Sequence, residues 1–574
     1  MKKIITLLIL AVSAFIYAET ITVVLPSAPS EVEKTAASEL ALHLKKVADV
    51  KIASENDNVS GKIIYLGNTK FAPKDKFAAE EWKLQALDNQ KIIINGGKRG
   101  VIYGAFELLE RLAGVMFLDE YSTYGPTQIP AWDKNFKIQG KPSFDYRSTY
   151  SYFSGKPSRY LWNMRQRQNF FLNEKITPKM KSFGLEPVYG RPRANHVFYD
   201  YTKNWKNMPD EYFSLNARTK KRDRAINSSG PGQVCYSHPE VRKLFIKQLK
   251  DFIKQDIAEY GKPARYYAMS ANDNWYPCAC AKCLANVKKM GNYTALALDF
   301  TNEIADAIAK DYPDVRIKFS VYLYTQDLPP AGTRFAKNLN LGLAQMGPEW
   351  SNVGTRTIRD TMRSINHPSN AAARKEILDW SKNGTLSNWD YFITYRDTGF
   401  LTENSETIAE NYKFYNGKFE CVFAEVEEPM AVSFHALRMF IGQRFMYNAD
   451  LNVQNEIKRF MTAYYGAAAA DMEAVRQLIK AENNSIKGYK KRRYKVMTEF
   501  INVFIRFNYE DETEPIVMYR GELELFTETT NFYHDTFANE DNYDEYREYT
   551  TVLDCVDLWE GNGYSLAQVI KGRY

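Results

Sequence analysis

The chain carries no Walker loop, no H-E-x-x-H pair and no nucleophile elbow, so P-loop, zincin and α/β-hydrolase chemistry are set aside. Beyond residue 18 it has no apolar run of about twenty residues, and no membrane-spanning helix is expected. It also lacks a concentrated basic stripe. The 76 Lys and Arg against 69 Asp and Glu leave a net charge of +7 over 574 residues. That excess is too small and too dispersed for a nucleic-acid partner. The run Lys490-Lys491-Arg492-Arg493 lies in a charged segment of helical pattern and reads as a solvated face. Internal repeats and low-complexity tracts are absent, and cysteines are few, at 6.

What is present is ordinary globular material, 45% hydrophobic and 25% charged, in a chain too long for one core. The first residues read MKKIITLLILAVSAFIYAET. A basic start at Lys2 and Lys3, an apolar stretch and a small residue at Ala18 describe a secretory signal peptide over 1–18. No cysteine follows it, which argues against a lipid anchor. Export to the periplasm or the medium is the expectation, with cleavage near Ala18. The aromatic share of 14%, led by 39 Tyr, suits the apolar faces of sugars. A Tyr-rich bias of the source genome accounts for it equally.

Three regions follow the leader. Residues 19–140 read as a small α/β domain, with strands at TITVVLP, KIIYLG and KIIING. Ser30 and Glu33 make a capping box for one helix, and RGVIYGAFELLERLAGVMFL forms another that ends before Gly114. Residues 141–450 hold eight short apolar runs: FDYRSTYS, NFFLNEKI, ANHVFYD, ARYYAMSAND, IKFSVYLYT, LNLGLAQM, LSNWDYFITY and ECVFAEVEEP. Helical patterns lie between several of them, including SHPEVRKLFIKQLKDFIKQ and TALALDFTNEIADAIAKDYP. Strands alternating with helices predict parallel βα units and a central (β/α)8 TIM-like barrel. Residues 451–574 read as a C-terminal helical region.

A barrel of this kind gathers the polar residues at its strand ends into one mouth. Asp273, Asp390 and Glu425 stand at or near three such ends and are the catalytic candidates. In SANDNWYPCACAKC, burial beside Trp275 and Tyr276 would raise the pKa of Asp273 and make it a general acid, with the Asn272 amide beside it. A capping role for Asp273 is the plainer alternative. Asp390 lies between Trp389 and Tyr391, with Arg396 just after. It fits either a catalytic carboxylate or a buried acid paired with an arginine. Glu425 fits either catalysis or an acidic rim. His196 could bind a substrate hydroxyl, and Arg147 and Arg193 could grip a uronate carboxylate; each has an ordinary structural reading. A glycosidase needs two carboxylates about 5 Å apart for retention, or about 6.5–9.5 Å for inversion.

Cys278, Cys280 and Cys283 follow C-x-C-x2-C spacing, and Cys235 or His238 is a candidate fourth partner. Together they suit a closed structural zinc site. Export favours disulfides instead, and free thiols are the third option. No cofactor is expected for catalysis itself.

RGVIYGAFELLERLAGVMFL, PDEYFSLN followed by QVCYSHPEVR, SANDN…CACAKC, NWDYF and the late AYYG resemble the exported bacterial family that carries the domain of unknown function numbered 4838. That family is similar in layout to the α-glucuronidases of glycoside hydrolase family 67 and to hexosaminidase-type barrels. The resemblance implies a small α/β domain, a (β/α)8 barrel and trailing helices. It places Asp273 where those barrels hold their acid after the fourth strand, and Asp390 near a late-strand carboxylate. This sequence departs from them in reading Asn272-Asp273 at the fourth end. It also lacks an aspartate in QMGPEW, where Glu349 is nearest. The expectation is a secreted glycoside hydrolase removing a terminal sugar, such as a uronic acid or an N-acetylhexosamine, from a polysaccharide or glycan. Asp273 would act as acid, and Glu425 or Asp390 as base or nucleophile. A non-catalytic glycan-binding protein on a degenerate barrel is the alternative, and a zinc-dependent hydrolase a third. Oligomeric state cannot be read from the chain.

Overall fold

The computed structural model describes residues 19–150, 157–347, 357–393, 403–426 and 434–482. It divides into two compact units. One comprises residues up to 116 with 124–141 and 182–184, and the other comprises 117–123, 142–181 and 185 onward.

The first unit is built on a six-stranded sheet. Its strands are β1 (Thr20–Leu25), β2 (Asp49–Ser54), β3 (Lys62–Leu66), β4 (Trp82–Ala86), β5 (Lys91–Gly96) and β6 (Lys137–Gly140), in the order β2-β1-β3-β5-β4-β6. β1, β2, β3 and β5 run parallel, while β4 is antiparallel to both of its neighbours. The capping box read at Ser30 and Glu33 is present and opens the helix Glu31–Leu44. Ile93, Ile94, Leu108 and Leu109 belong to its buried core.

The second unit contains a wholly parallel sheet of β7 (Tyr146–Tyr150), β8 (Tyr266–Met269), β9 (Arg316–Val321), β10 (Leu339–Ala344), β11 (Thr385–Tyr391) and β12 (Phe419–Glu425), in the order β8-β9-β10-β11-β12-β7. The last strand thus pairs with the first. Helices Pro239–Tyr260, Tyr293–Ala309, Ala371–Trp380 and Ser405–Tyr415 fall between successive strands. His238, just ahead of Pro239, caps the first of these, its side chain accepting the Glu240 N–H. Helices Val453–Tyr465 and Ala469–Glu482 follow the sheet. No helix among the described residues is long and apolar enough to cross a membrane.

Two of the eight expected runs do not form strands. NFFLNEKI is irregular, joined to β7 by Asn169 N–H donating to Arg147 O at 3.1 Å. ANHVFYD leads into the short helix Phe198–Thr202. The chain meets β8 earlier, at Tyr189, through a single parallel bridge to Tyr266. Polar, turn-forming neighbours explain the misreading: Asn195-His196 bends where an apolar run would have to continue, and His196 takes a left-handed φ of 51°.

Side chains in a strand alternate faces. Tyr146, Tyr150, Tyr266, Cys421, Phe423 and Trp389 share one face and pack with Phe170, Val188 and Tyr189 into a cluster. The same parity places Lys318, Ser320, Gly342, Ala344, Tyr391 and Glu425 on that face, nearer the C-terminal strand ends.

Candidate active site

A cavity of about 490 Å³ opens at these strand ends. Asp273, Asn274 and Trp275 enter it from beyond β8, and Ser320, Tyr322 and Leu323 from the end of β9. Met346, Trp389, Tyr391 and Glu425 enter from the ends of β10 to β12, and Asn195 and His196 from the loop after Tyr189. Two carboxylates far apart in sequence, Asp273 and Glu425, therefore face one space. Tyr322 holds the first of them: its hydroxyl donates to Asp273 Oδ1 at 3.0 Å. Burial, then Asp273, then Glu425 hold its phenol well above the usual pKa, so it stays a donor. Trp389 Nε1 donates to Glu425 Oε2 at 2.7 Å.

Asp273 is exposed, and so is Tyr276 at 46%. The expected burial of the acid between Trp275 and Tyr276 is therefore not found; Trp275 alone joins it in the cavity. His196 lies beside Tyr322, with ring centroids 5.8 Å apart, and its Nδ1 is 3.1 Å from Ala271 O. Burial pushes its pKa down against the pull of Asp273, favouring the neutral ring. His196 and Leu323 both adopt positive φ, and both line the cavity. Costly backbone conformations of this kind gather where side chains must be aimed.

The other candidates lie elsewhere. Asp390 is not in the cavity. Between Trp389 and Tyr391 it points to the opposite face of β11, where it is 1% exposed and paired with Arg359, itself 2% exposed. Its Oδ1 also accepts the Tyr391 N–H. Asn272 is buried and fully engaged: its Oδ1 accepts from Tyr199 N–H and its Nδ2 donates to Gly232 O. Its neighbour Asn274 lines the cavity instead, with its own amide held by Gln233, the Tyr276 N–H and Ser229 O. Arg147 is buried on the outward parity of β7 and donates to the carbonyls of Phe144 and Arg167. Arg193 is held by Asp200 at 2.6 Å and does not line the cavity. Arg396, like the acids at 349, 397, 427 and 428, lies outside the described residues.

Sequence reading missed Lys318. It projects from β9 into the cavity while only 5% exposed. Its Nζ donates to Asn195 Oδ1 at 2.8 Å and lies 5.1 Å from the Tyr189 ring centroid and 5.6 Å from that of Trp389. Gly342 on the neighbouring strand makes room for it, since a Cβ there would meet Lys318 Cε at 2.5 Å. Among the described residues no carboxylate pairs with it. The nearby Cys421 thiol is pushed up to about 12 by burial and stays neutral. Desolvation lowers the Lys318 pKa to about 8, so the group is a charged, underneutralised cation at pH 7. The period-2 pattern of IKFSV was the available signal, since it sets Lys318 and Ser320 on one face and Ile317, Phe319 and Val321 on the other.

Residues 119–480 match the family described as "Domain of unknown function (DUF4838)". No curated protein matches the chain by sequence. Among solved structures, the chain is similar to a family GH115 4-O-methyl-α-glucuronidase with specificity for decorated arabinogalactans. The TM-score is 0.58 at 13% identity, covering 97% of this chain and 78% of that one. It is also similar to a family 89 glycoside hydrolase from Clostridium perfringens, with a TM-score of 0.52 at 10% identity, covering 92% of this chain and 65% of that one. At such identities the likeness is one of fold.

Proposed function

Because this chain belongs to the DUF4838 family and shares its fold with glycoside hydrolases, we propose that it is a glycoside hydrolase that removes a terminal, negatively charged sugar. The observation that supports this reading best is the convergence of Asp273 and Glu425 on one cavity walled by Trp275, Trp389 and Tyr391. In this reading the segments at Asn169 and Tyr189 complete an eight-membered (β/α)8 ring. The leader ending near Ala18 exports the chain to meet polysaccharide outside the cytoplasm.

Asp273 stands at the open rim, where a leaving sugar would depart, and donates the proton to the glycosidic oxygen. Bound substrate supplies the desolvation that the free site lacks. Glu425, held by the Trp389 indole N–H, serves the anomeric carbon either directly or through water. Tyr322 and Trp389 hold the two carboxylates by one donor each, and neutral His196 is placed to bind a ring hydroxyl. Lys318 sets the sugar class: a buried cation without a carboxylate partner among the described residues is completed by a uronate carboxylate brought in with the substrate.

The test is a screen of defined uronic-acid and N-acetylhexosamine oligosaccharides with product analysis. Release of a terminal uronic acid is expected. Binding without any product after long incubation would instead make the protein a glycan-binding module. Cleavage of neutral sugars alone would remove the role given to Lys318.

Lys318 also carries a paired prediction. Its folded pKa lies below the unfolded value of about 10.4, so between pH 8 and that value the unfolded chain binds more protons than the folded one. Stability attributable to this group therefore rises with pH across the window, and the charged form burdens the fold below it. Lys318→Met should raise the melting temperature at pH 7 while weakening uronate binding. In the parent protein, calorimetric affinity for a uronate should fall as pH rises through about 8. A variant that loses both stability and binding would contradict this account.

A further inference from the structure

Four buried thiols outside the cavity have no part in the chemistry above. Cys235 Sγ lies 3.7 Å from Cys280 Sγ and 3.6 Å from Cys283 Sγ. With Cys278, all four sulfurs fall within 4.8 Å of one another. A disulfide would bring two of them to about 2.05 Å, and all are free cysteines. A tetrahedral zinc with Zn–S bonds of ~2.3 Å sets its sulfurs ~3.8 Å apart, close to the spacing seen here.

The surroundings fit thiolates. The Leu215 N–H donates to Cys278 Sγ at 3.4 Å, and the Cys283 N–H to Cys280 Sγ at 3.5 Å. Arg222 Nη1 stands 3.9 Å from Cys278 Sγ, a cation beside a group that would carry net negative charge once metallated. Such donors around the sulfurs are the usual support of a metal site. Three segments meet at the cluster. Cys235 N–H donates to Tyr212 O, and Ala279 N–H to Leu215 O. Cys280 caps the helix Ala281–Met290.

We propose that Cys235, Cys278, Cys280 and Cys283 form a closed four-thiolate zinc site that anchors the loop carrying Asp273 and Trp275. Four thiols lose four protons as one zinc binds, and the metal changes no oxidation state. All four positions are filled by sulfur, so no water is activated there. None of the four cysteines lines the cavity, and the site acts as a brace. Its existence does not depend on the sugar chemistry proposed for the cavity.

Metal analysis of the full chain, purified without chelator, tests this directly, with zinc near one equivalent per chain expected. Cys278→Ser should lose the metal, whereas Cys421→Ser, a buried thiol elsewhere in the fold, should keep it. Stripping zinc with a mercurial and a strong chelator should lower the melting temperature and raise amide exchange across residues 270–290. Intact-mass analysis showing two hydrogens lost per pair of cysteines, or four free thiols that take up neither zinc nor cobalt, would overturn the proposal. So would stoichiometric iron in place of zinc.

Discussion

Asp273→Asn and Glu425→Gln should each lower turnover of a cleaved oligosaccharide by ~10²–10⁴-fold, the usual worth of a positioned acid or base. Folding should be almost unaffected in both. Asp273 is exposed, and the oxygen that accepts the Tyr322 hydroxyl survives in asparagine. Glu425 is half-buried, and glutamine still accepts from Trp389 Nε1. Unfolding midpoints within experimental error of the parent, together with the lost turnover, would identify chemistry rather than structure. If either variant turned over substrate at the parental rate, that carboxylate would have no catalytic part. If both variants bound the sugar unchanged and the parent never released product, the cavity would be a binding site.

Asp390→Ala should behave in the opposite way. It removes the partner of a guanidinium that is 2% exposed, and an uncompensated buried charge costs ~3–5 kcal/mol. Arginine keeps its proton in proteins, and the Asp390 charge that offsets the cost of burying Arg359 is gone from the variant. Urea unfolding should show a large drop in midpoint, and the fraction still folded should retain its turnover. Replacing both residues together, Arg359→Met with Asp390→Leu, should recover much of the loss, because apolar groups of similar volume often serve a buried pair's place as well. A stable Asp390→Ala protein without activity would return Asp390 to the catalytic list and move the site to the other face of β11.

The contrast between Asp390 and Glu425 shows what a linear reading can reach. Both lie in apolar runs that carry aromatic residues, and both carry the same charge. Strand parity separates them: Trp389 and Tyr391 share the cavity face, so Asp390 must turn away. In β12, Phe423 and Glu425 fall on the inner face with Cys421. That rule was available in the sequence and would have favoured Glu425. It would also have exposed Lys318, which lies two residues before Ser320 on the cavity side. Arg147 fails by the same parity, between Tyr146 and Ser148.

Other features were beyond such rules. Asn272 and Asn274 have equal chemistry and differ only in which groups surround them. The Tyr199 N–H and the Gly232 carbonyl engage the Asn272 side-chain amide, whereas Gln233, Ser229 and the Tyr276 N–H engage that of Asn274. The openness around Asp273 depends on where the Trp275–Tyr276 segment lies, and no local pattern specifies that. The contact on the open edge of β8 falls at Tyr189 rather than in ANHVFYD because backbone pairing, unlike hydrophobicity, is decided by the neighbouring strand.

From the chain alone came the alternation of strands and helices, the capping box at Ser30, the cysteine spacing and the family likeness, since each is a local pattern of side-chain size, polarity or period. Convergence belonged to the folded molecule: Asp273 with Glu425 in one cavity, Cys235 against Cys278, Cys280 and Cys283, and Arg359 on Asp390. Contacts between residues far apart in sequence are selected by packing and by the cost of leaving buried charge unpaired, and both exist only once the strands lie side by side.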